Sequence, residues 1–185
     1  MNVLICGPTG FARGCAWFLP NGYARRMTED PGDTPTPDVI LREVAPDDLT
    51  VFYEQHLDSE SAQMAAVQPR EDRQAFLDHW ATNLAKEDNL ARTVEVDGRV
   101  AGHVVSWKQD DGRFVGYWFG REFWGRGIAT RALAAFLEED PNRPLKALTA
   151  THNVGSKRVL EKCGFEVAGR AFADDGVEEF TLVLR

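Results

Sequence analysis

The chain has 185 residues and a mass of 20.7 kDa, which suits one globular domain and is too short for two full ones. Hydrophobic residues make up 43% and charged residues 27%, so a sizeable core is possible and disorder of the whole chain is excluded. The 21 basic and 29 acidic residues give a formal charge of −8, which argues against general nucleic-acid binding because that function needs a basic surface.

The cysteines and the apolar segments indicate the cellular compartment in which the protein is expected. Three cysteines, Cys6, Cys15 and Cys163, have no metal-ligand spacing and indicate a reducing environment. No apolar run approaches the ~18–20 residues that a membrane span requires, and the short run 3–6 is a poor secretory signal. We therefore expect a soluble cytoplasmic protein that has no metal site and binds neither membranes nor nucleic acid.

The first part of the chain differs in charge from the rest. Residues 1–26 contain three arginines and no acid, and residues 27–38 are rich in proline and acid, as in a solvated linker. We expect residues 1–37 to be an extension and linker, followed by one domain over 38–185. We hypothesise that Met27 is the natural start and that a misplaced start codon adds residues 1–26. Mass spectrometry of the native N-terminus tests this, and an intact Met1 would contradict it.

A second interpretation of the N-terminal stretch is a dinucleotide-binding turn. Residues 3–14 resemble a strand that runs into a Gly-rich turn, a pattern that needs a helix and a second strand next. Here the segment Leu19-Pro20-Asn21-Gly22 stops a helix, and no second strand or P-loop lysine follows. The glycines therefore do not predict a nucleotide fold.

From residue 38 onward, the hydrophobic pattern predicts alternating helices and strands. Apolar residues at helical spacing follow Pro46, and Asp-Gly turns at 97–98 and 111–112 separate three β-rich runs, which is typical of an antiparallel meander. In chain order we predict a strand at 39–44, a helix opened at 46–48, a helix at 70–85, strands at 90–96, 100–107 and 113–119, a helix after Gly127 that ends before Pro141, a strand at 146–151, a helix between Asn153 and Gly164, and strands at 165–170 and 178–184.

The connection from the third meander strand to the next helix carries glycines and arginines. Gly125 and Gly127 precede the helix, whose first N–H groups and dipole favour an anion, and a missing Cβ lets a phosphate approach these amides. Arginines lie nearby at positions 121, 126 and 131. The segment predicts a phosphate site, with an ordinary strand–helix turn as the alternative.

A second motif follows, and the two together carry a family resemblance. Asn153, Ser156, Leu160, Gly164 and Phe165 match the pattern Asn-x-x-Ser-x-x-x-Leu-x-x-x-Gly-Phe. With the loop 124–129, which stands where the family has Gln/Arg-x-x-Gly-x-Gly/Ala, the chain resembles the GCN5-related N-acetyltransferase (GNAT) superfamily. Within it, the chain is similar to the branch of the ribosomal-protein N-terminal alanine acetyltransferases. Trp124 at the first loop position departs from the general family pattern and is common in this branch.

The resemblance covers residues 38–185 and implies the fold and the co-substrate. The implied fold is α+β, with a mixed, mostly antiparallel sheet of about seven strands, flanked by about four helices and splayed at the acetyl-CoA site. The pyrophosphate of acetyl-CoA would bind the loop amides, and its pantetheine arm would pair with a free strand edge and with Asn153. The implied contact residues are Tyr117, Trp118, Phe119, Trp124, Gly125, Arg126, Gly127, Ile128, Ala129, Thr130, Asn153 and Lys157.

The implied chemistry is direct attack of a neutral amine on the thioester, without an acyl-enzyme. A backbone N–H near Phe119 would bind the oxyanion. Many relatives use a tyrosine where Leu160 stands, so Ser156 is the expected acid for the departing thiolate, with a backbone-bonding helix-start serine as the alternative. Cys163 is expected to pack. No base is marked: His103 is more typical of a core histidine, Glu95 is a weak candidate, and a water chain would suffice.

Two other function classes stay open, as does the acceptor. The alternatives are a non-catalytic CoA-binding module and a protein-interaction domain with a tryptophan-rich surface, although tryptophans more often pack in cores. Residues 47–85 and 174–176 are expected to select the acceptor, which is a protein N-terminus, an aminoglycoside-like amine, a polyamine or an amino acid. The sequence leaves the oligomeric state open, with a homodimer as one possibility.

Overall fold

The computed structural model describes residues 37–66, 69, 71–109, 112–173 and 175–185. Almost all of the predicted extension and linker, with Cys6, Cys15 and Met27, lies outside the described residues, as do Asp111 and Asp174 of two predicted turns. In the described part of the chain, no helix is long and apolar enough to cross a membrane.

Seven strands and five α-helices make up the described chain, which confirms the predicted α+β class. The helix count exceeds the expected four because of a short helix that begins at Ser59; its N-cap, Asp58, accepts a hydrogen bond from the Ser61 N–H at 2.8 Å. In chain order the elements are β1 (Val39–Arg42), α1 (Asp48–Leu57), α2 (Ser59–Ala65), α3 (Arg73–Leu84), β2 (Leu90–Val96), β3 (Arg99–Gln109), β4 (Gly112–Phe119), a 3-10 turn (Arg121–Phe123), α4 (Ile128–Glu139), β5 (Leu145–Ala150), α5 (Val154–Lys162), β6 (Glu166–Phe172) and β7 (Glu178–Leu184).

The sheet opens between its two central strands. Its order is β1-β2-β3-β4-β5-β7-β6, and every pair is antiparallel except β4–β5. These two parallel strands pair only at Arg113–Leu145 and Phe114–Lys146, near the start of each strand. Beyond those pairs, β4 continues to Phe119 and β5 continues to Ala150, but no further residues of the two strands are paired. The strands therefore diverge, as predicted for this sheet, and leave facing edges that a ligand can occupy.

Each face of the sheet has its own core, because side chains alternate along a strand. The larger core lies under α4 and α5 and contains Tyr117, Phe119, Phe136 and Leu160. The smaller core lies under α1 and α3 and is aromatic, with Phe52, Phe76, Trp80 and Trp107 among its residues. Successive residues of β4 thus point to opposite sides of the sheet, which decides which of them can reach a ligand on one face.

A buried ion pair holds the closed end of the β4–β5 opening. Asp140 follows α4, is 1% exposed, and accepts a hydrogen bond from Arg113 Nε at 2.9 Å. Ser106 of β3 donates to the same carboxylate, and Arg113 also reaches the Ser106 hydroxyl at 2.9 Å. These bonds hold the pKa of Asp140 below its usual value, although burial opposes them. The network ties the end of α4 to the point where β4 and β5 are still paired.

Candidate functional site

A cavity of about 280 Å³ lies between the start of α4 and one side of α5, at the diverging end of β4. It occupies the place that the sequence motifs predict for a phosphate group. Its lining residues are Phe119, Phe123, Trp124, Gly125, Gly127, Ile128, Ala129, Thr130, Gly155, Arg158, Val159 and Lys162.

The first turn of α4 presents unpaired N–H groups beside this cavity. A helix leaves its first N–H groups without an intrahelical acceptor, and at α4 these belong to Ile128, Ala129 and Thr130. No side chain caps α4 and its first turn contains no acid, whereas side chains of Asp58, Asp72 and Asn153 cap α2, α3 and α5. The positive end of the α4 dipole therefore remains available to an anion.

Two glycines shape the loop before α4. Gly125 and Gly127 both have φ of 72°, in the left-handed region that favours glycine. A Cβ built at either position meets no atom within 4 Å, so nothing in the described protein fills the adjoining space. Conformation, rather than packing against the protein, is the reason for glycine here, and the open space suits a ligand.

The basic side chains at the cavity differ from the expected ones. Arg158 and Lys162, four residues apart on α5, line it, and Lys157 does not: its ammonium pairs with Glu161. The Arg126 guanidinium lies 3.6 Å from Asp97, outside the lining. Sequence reasoning missed Arg158 and Lys162, although their spacing with Gly155 and Val159 on one side of the helix was a readable signal.

The aromatic side chains at the end of β4 point to opposite faces of the sheet. Phe119 and Trp124 line the cavity, and the Trp124 indole N–H donates to the Phe119 carbonyl at 3.0 Å. Trp118 points to the opposite face, where its indole N–H donates to the Gln55 carbonyl at 3.0 Å. Tyr117 is fully buried beneath α5. Of the three expected contact residues on this strand, the structure thus places only the Phe119 side chain at the cavity.

Ser156 and Asn153 lie at the buried start of α5. The Asn153 side chain accepts a hydrogen bond from the Ser156 N–H at 3.1 Å, which is the expected cap. The Ser156 hydroxyl lies 2.8 Å from the Tyr117 hydroxyl, and both residues have no exposed surface. Burial raises the pKa of Tyr117, so its phenol keeps its proton. The structure therefore pairs the expected acid with a second hydroxyl that the sequence did not associate with it.

The two candidate bases lie away from the cavity. His103 is buried between Phe52 and Trp80, with ring centroids 4.6 and 4.8 Å away, and burial lowers its pKa to about 3. It is a neutral core residue on the face opposite α4 and α5. Glu95 accepts a hydrogen bond from Arg42 Nε at 3.0 Å, near the β1 edge of the sheet. His103 pairs with Trp118 of β4 but is enclosed in the core with a lowered pKa, and Glu95 is engaged with Arg42, so neither side chain suits the role of base.

Cys163 is a half-buried free cysteine between α4 and α5. Burial raises the pKa of Cys163 to about 11, so the thiol is not a ready nucleophile near neutral pH. Its Sγ lies 3.5 Å from the Thr130 carbonyl, between α4 and α5. Among the residues that the structure describes, no group of three or more His, Cys, Asp or Glu side chains could hold a metal ion.

A second cavity, of about 430 Å³, lies between α1 and the segment after β4. Three carboxylate side chains and a single arginine are among its seven lining residues, which are Val51, Glu54, Gln55, Asp58, Gly120, Arg121 and Glu122. The arginine is engaged, because its guanidinium pairs with Glu60 and lies 3.7 Å from Asp58. The lining is therefore predominantly acidic.

Comparison with known protein families gives one match. The family model described as the acetyltransferase (GNAT) domain matches residues 38–166, more than half of the chain. A search of curated proteins finds no match.

Solved structures share the fold at low sequence identity. An aminoglycoside acetyltransferase, AAC(6')-Ib, in complex with coenzyme A is 22% identical, with 80% of this chain and 94% of that chain covered and a TM-score of 0.65. A spermidine N-acetyltransferase from Vibrio cholerae, in complex with CoA and spermine, is 14% identical over 79% and 94%, with a TM-score of 0.70. Mycobacterium smegmatis RimJ in complex with CoA-disulfide is 21% identical over 81% and 83%, with a TM-score of 0.65.

Proposed function

The chain belongs to the acetyltransferase (GNAT) domain family, and we propose that it transfers an acetyl group from acetyl-CoA to a primary amine by direct attack within a ternary complex. The observation that carries this proposal is the uncapped start of α4, which presents free N–H groups to a cavity beside the diverging edges of β4 and β5. An anion at the helix and an extended arm along the strand edge require these two features side by side.

The residues present fit the parts of acetyl-CoA. The amides of Ile128, Ala129 and Thr130 suit the pyrophosphate, and Arg158 and Lys162 add positive charge for the phosphates. The free edge of β4 offers backbone N–H and C=O groups to the amides of the pantetheine arm. These local positive groups explain how a chain of net charge −8 could bind a polyanion. When bound, acetyl-CoA supplies the thioester, and this chain positions it.

Three chemical tasks remain for the protein. A backbone N–H on the edge of β4 that faces β5 is proposed to bind the oxyanion, and this donor is not Gly120, whose N–H donates to the Ala101 carbonyl at 3.0 Å. Ser156 is the proposed proton donor to the departing thiolate, supported by its place at the start of α5. No side chain is assigned as the base, because His103 and Glu95 are held elsewhere, so a water chain carries the amine proton to solvent. Cys163 takes no part, since burial disfavours its thiolate.

The acceptor is proposed to be a primary amine whose cation is attracted by the acid-lined cavity between α1 and the segment after β4. Two acceptor classes fit this chemistry: a protein N-terminus, as the sequence resemblance to the ribosomal-protein branch suggests, and a small polyamine or aminoglycoside. The similar structures with spermine and with aminoglycosides lend support to the second class.

Calorimetry with CoA and thiol release from acetyl-CoA test the proposed function. We expect CoA binding and amine-dependent thiol release with a panel that contains spermine, kanamycin and an alanine-terminated peptide. Binding without release from any amine would favour the non-catalytic CoA-binding module. Absence of binding would contradict the proposed function and favour a protein-interaction domain.

Replacing Gly127 with alanine is expected to weaken CoA binding about 10-fold. The new Cβ stands between a phosphate and the α4 amides, and loss of one charge-assisted hydrogen bond costs roughly 1.5 kcal/mol. Gly176 has a φ of 84°, and a Cβ there also meets no atom within 4 Å, so Gly176→Ala imposes a similar backbone strain in the β6–β7 turn. Calorimetry should give wild-type affinity for Gly176→Ala. Equal affinity losses in both variants would show that strain, not the phosphate site, is responsible.

A further inference from the structure

Two buried hydroxyls of the described chain, those of Ser61 and Thr149, have no hydrogen-bond partner, and that of Thr149 lies on a strand beside the candidate site. Thr149 of β5 is 2% exposed, and its Oγ1 has no protein partner in the structure. A buried polar atom without a partner is costly and needs an explanation, such as a ligand that completes it.

The Thr149 side chain points to the face of the sheet that carries the candidate site. Side chains alternate along β5, so Thr149 shares the face of Leu145 and Ala147, which pack in the core beneath α4 and α5. The pairing Phe114–Lys146, continued along both strands, brings Tyr117 to the level of Thr149. No residue pairs join β4 and β5 at that level, so Tyr117 and Thr149 lie on opposite sides of the opening.

The opposite side of the opening carries two more hydroxyls. Tyr117 and Ser156 lie 2.8 Å apart through their oxygen atoms, and the Tyr117 hydroxyl is also 3.2 Å from the Ser156 carbonyl. Tyr117 lies two residues before the cavity-lining Phe119 on β4, so Tyr117 is about 6.6 Å nearer the closed end of the opening than Phe119. Gly155, beside Ser156, also lines the cavity. The hydroxyls of Tyr117 and Ser156 therefore lie together beside β4, and Thr149 lies on β5, across the opening that the pantetheine arm is proposed to enter.

We propose that Thr149, Ser156 and Tyr117 form a thiolate site, in which hydroxyl groups bind the sulfur of CoA. This inference rests on the proposed function. Thr149 Oγ1 donates a hydrogen bond to the sulfur and thereby gains its missing partner. Tyr117 is a positioning residue: when its hydroxyl donates to Ser156 Oγ, the Ser156 proton is free to point at the sulfur. The site stabilises the thiolate that forms when the thioester C–S bond breaks and its electron pair moves to sulfur.

The titratable and charged side chains near the three hydroxyls in the described chain include Cys163, Arg158 and Lys162. Cys163 is the titratable side chain that acts on Tyr117, and burial raises its pKa to about 11. Burial also raises the pKa of Tyr117, which keeps the phenol a donor. Arg158 and Lys162 line the outer cavity and favour a thiolate as well. Because they are the same in every variant below, their effect on the sulfur cancels in the comparison.

The test measures the thiol pKa of bound CoA and needs no acceptor amine. Thiolate absorbance is followed against pH in difference spectra of each protein with and without CoA. We expect wild-type protein to lower the pKa of the CoA thiol, and Thr149→Val to raise that of bound CoA by about one unit, since one hydrogen bond to the thiolate is lost. Tyr117→Phe is expected to raise it too, and Thr149→Ser, which keeps a hydroxyl, to preserve the wild-type value.

Thr181→Val provides the matched control. Thr181 lies on the neighbouring strand β7, paired with Leu148, and therefore on the opposite face from Thr149. We expect Thr181→Val to leave the thiol pKa of bound CoA unchanged. If Thr149→Val binds CoA and gives the wild-type thiol pKa, the thiolate site is wrong. If wild-type protein does not bind CoA, the proposed function itself is contradicted.

Discussion

Replacing Ser156 with alanine is expected to lower kcat about 100-fold, the lower range for loss of a positioned proton donor. The affinity for CoA should change far less than kcat, because the phosphates are proposed to bind the α4 amides and the basic side chains of α5, which the variant keeps. The fold should also persist: the Tyr117 hydroxyl keeps the Ser156 carbonyl, 3.2 Å away, as an acceptor. Steady-state kinetics with the best amine of the panel measures kcat, and calorimetry measures CoA binding.

Ser106→Ala is the matched control for this variant. It also removes a fully buried, hydrogen-bonded serine hydroxyl, but at the Arg113–Asp140 pair rather than beside Tyr117. We expect Ser106→Ala to lower stability and keep the wild-type kcat. A wild-type kcat in Ser156→Ala would contradict the acid role and leave the Ser156 hydroxyl as a structural partner of the Tyr117 hydroxyl at the start of α5.

Replacing Asp140 with alanine is expected to lower the free energy of unfolding by about 3–5 kcal/mol, the usual cost of breaking a buried ion pair from one side. The loss leaves the Arg113 guanidinium, whose side chain is 10% exposed, without its carboxylate, and Ser106 without its acceptor. Urea unfolding measures the change. Glu166→Ala is the control, since the Glu166 and Arg185 side chains are 79% and 73% exposed and their pair should contribute at most about 1 kcal/mol.

The effect of Asp140→Ala should depend on pH. The pKa of Asp140 is lowered in the folded protein, so the ionised carboxylate stabilises the fold above its ordinary pKa of 3.8. This stabilisation is lost as the pH falls through the folded-state pKa. The difference in unfolding free energy between wild type and Asp140→Ala should therefore be full near neutral pH and shrink in acid. A difference that does not change with pH would contradict the role given to the ionised carboxylate.

Local sequence signals identified most elements of this chain. Asp97-Gly98 marked the β2–β3 hairpin, and Asn153 and Gly164 marked the limits of α5, because turns and caps depend on a few residues at fixed offsets. The short helix α2 was missed. Its sequence, Ser-Glu-Ser-Ala-Gln-Met-Ala, has no strong apolar stripe, and its start depends on one capping aspartate.

Local sequence signals also predicted the backbone features of the candidate site, but not its side chains. Gly125 and Gly127 could be identified from the sequence because a left-handed backbone and the close approach of an anion both favour glycine. The uncapped start of α4 directly follows that loop. The sequence did not correctly predict which basic side chains of α5 line the cavity. Lys157 was expected at the cofactor, but α5 turns Arg158 and Lys162 to the cavity and leaves Lys157 with Glu161, because the helix's rotation is set by packing.

By itself, then, the sequence determined the α+β class, the order of most elements and the glycine loop before α4, since each depends on neighbours in the chain. Only the tertiary structure decided which hydroxyls meet. Tyr117 and Ser156 are 39 residues apart, and Thr149 reaches their level through a strand pairing that no local pattern encodes. Their proximity follows from the β4–β5 divergence and from the packing of α5 over it, which depend on contacts between residues distant in sequence.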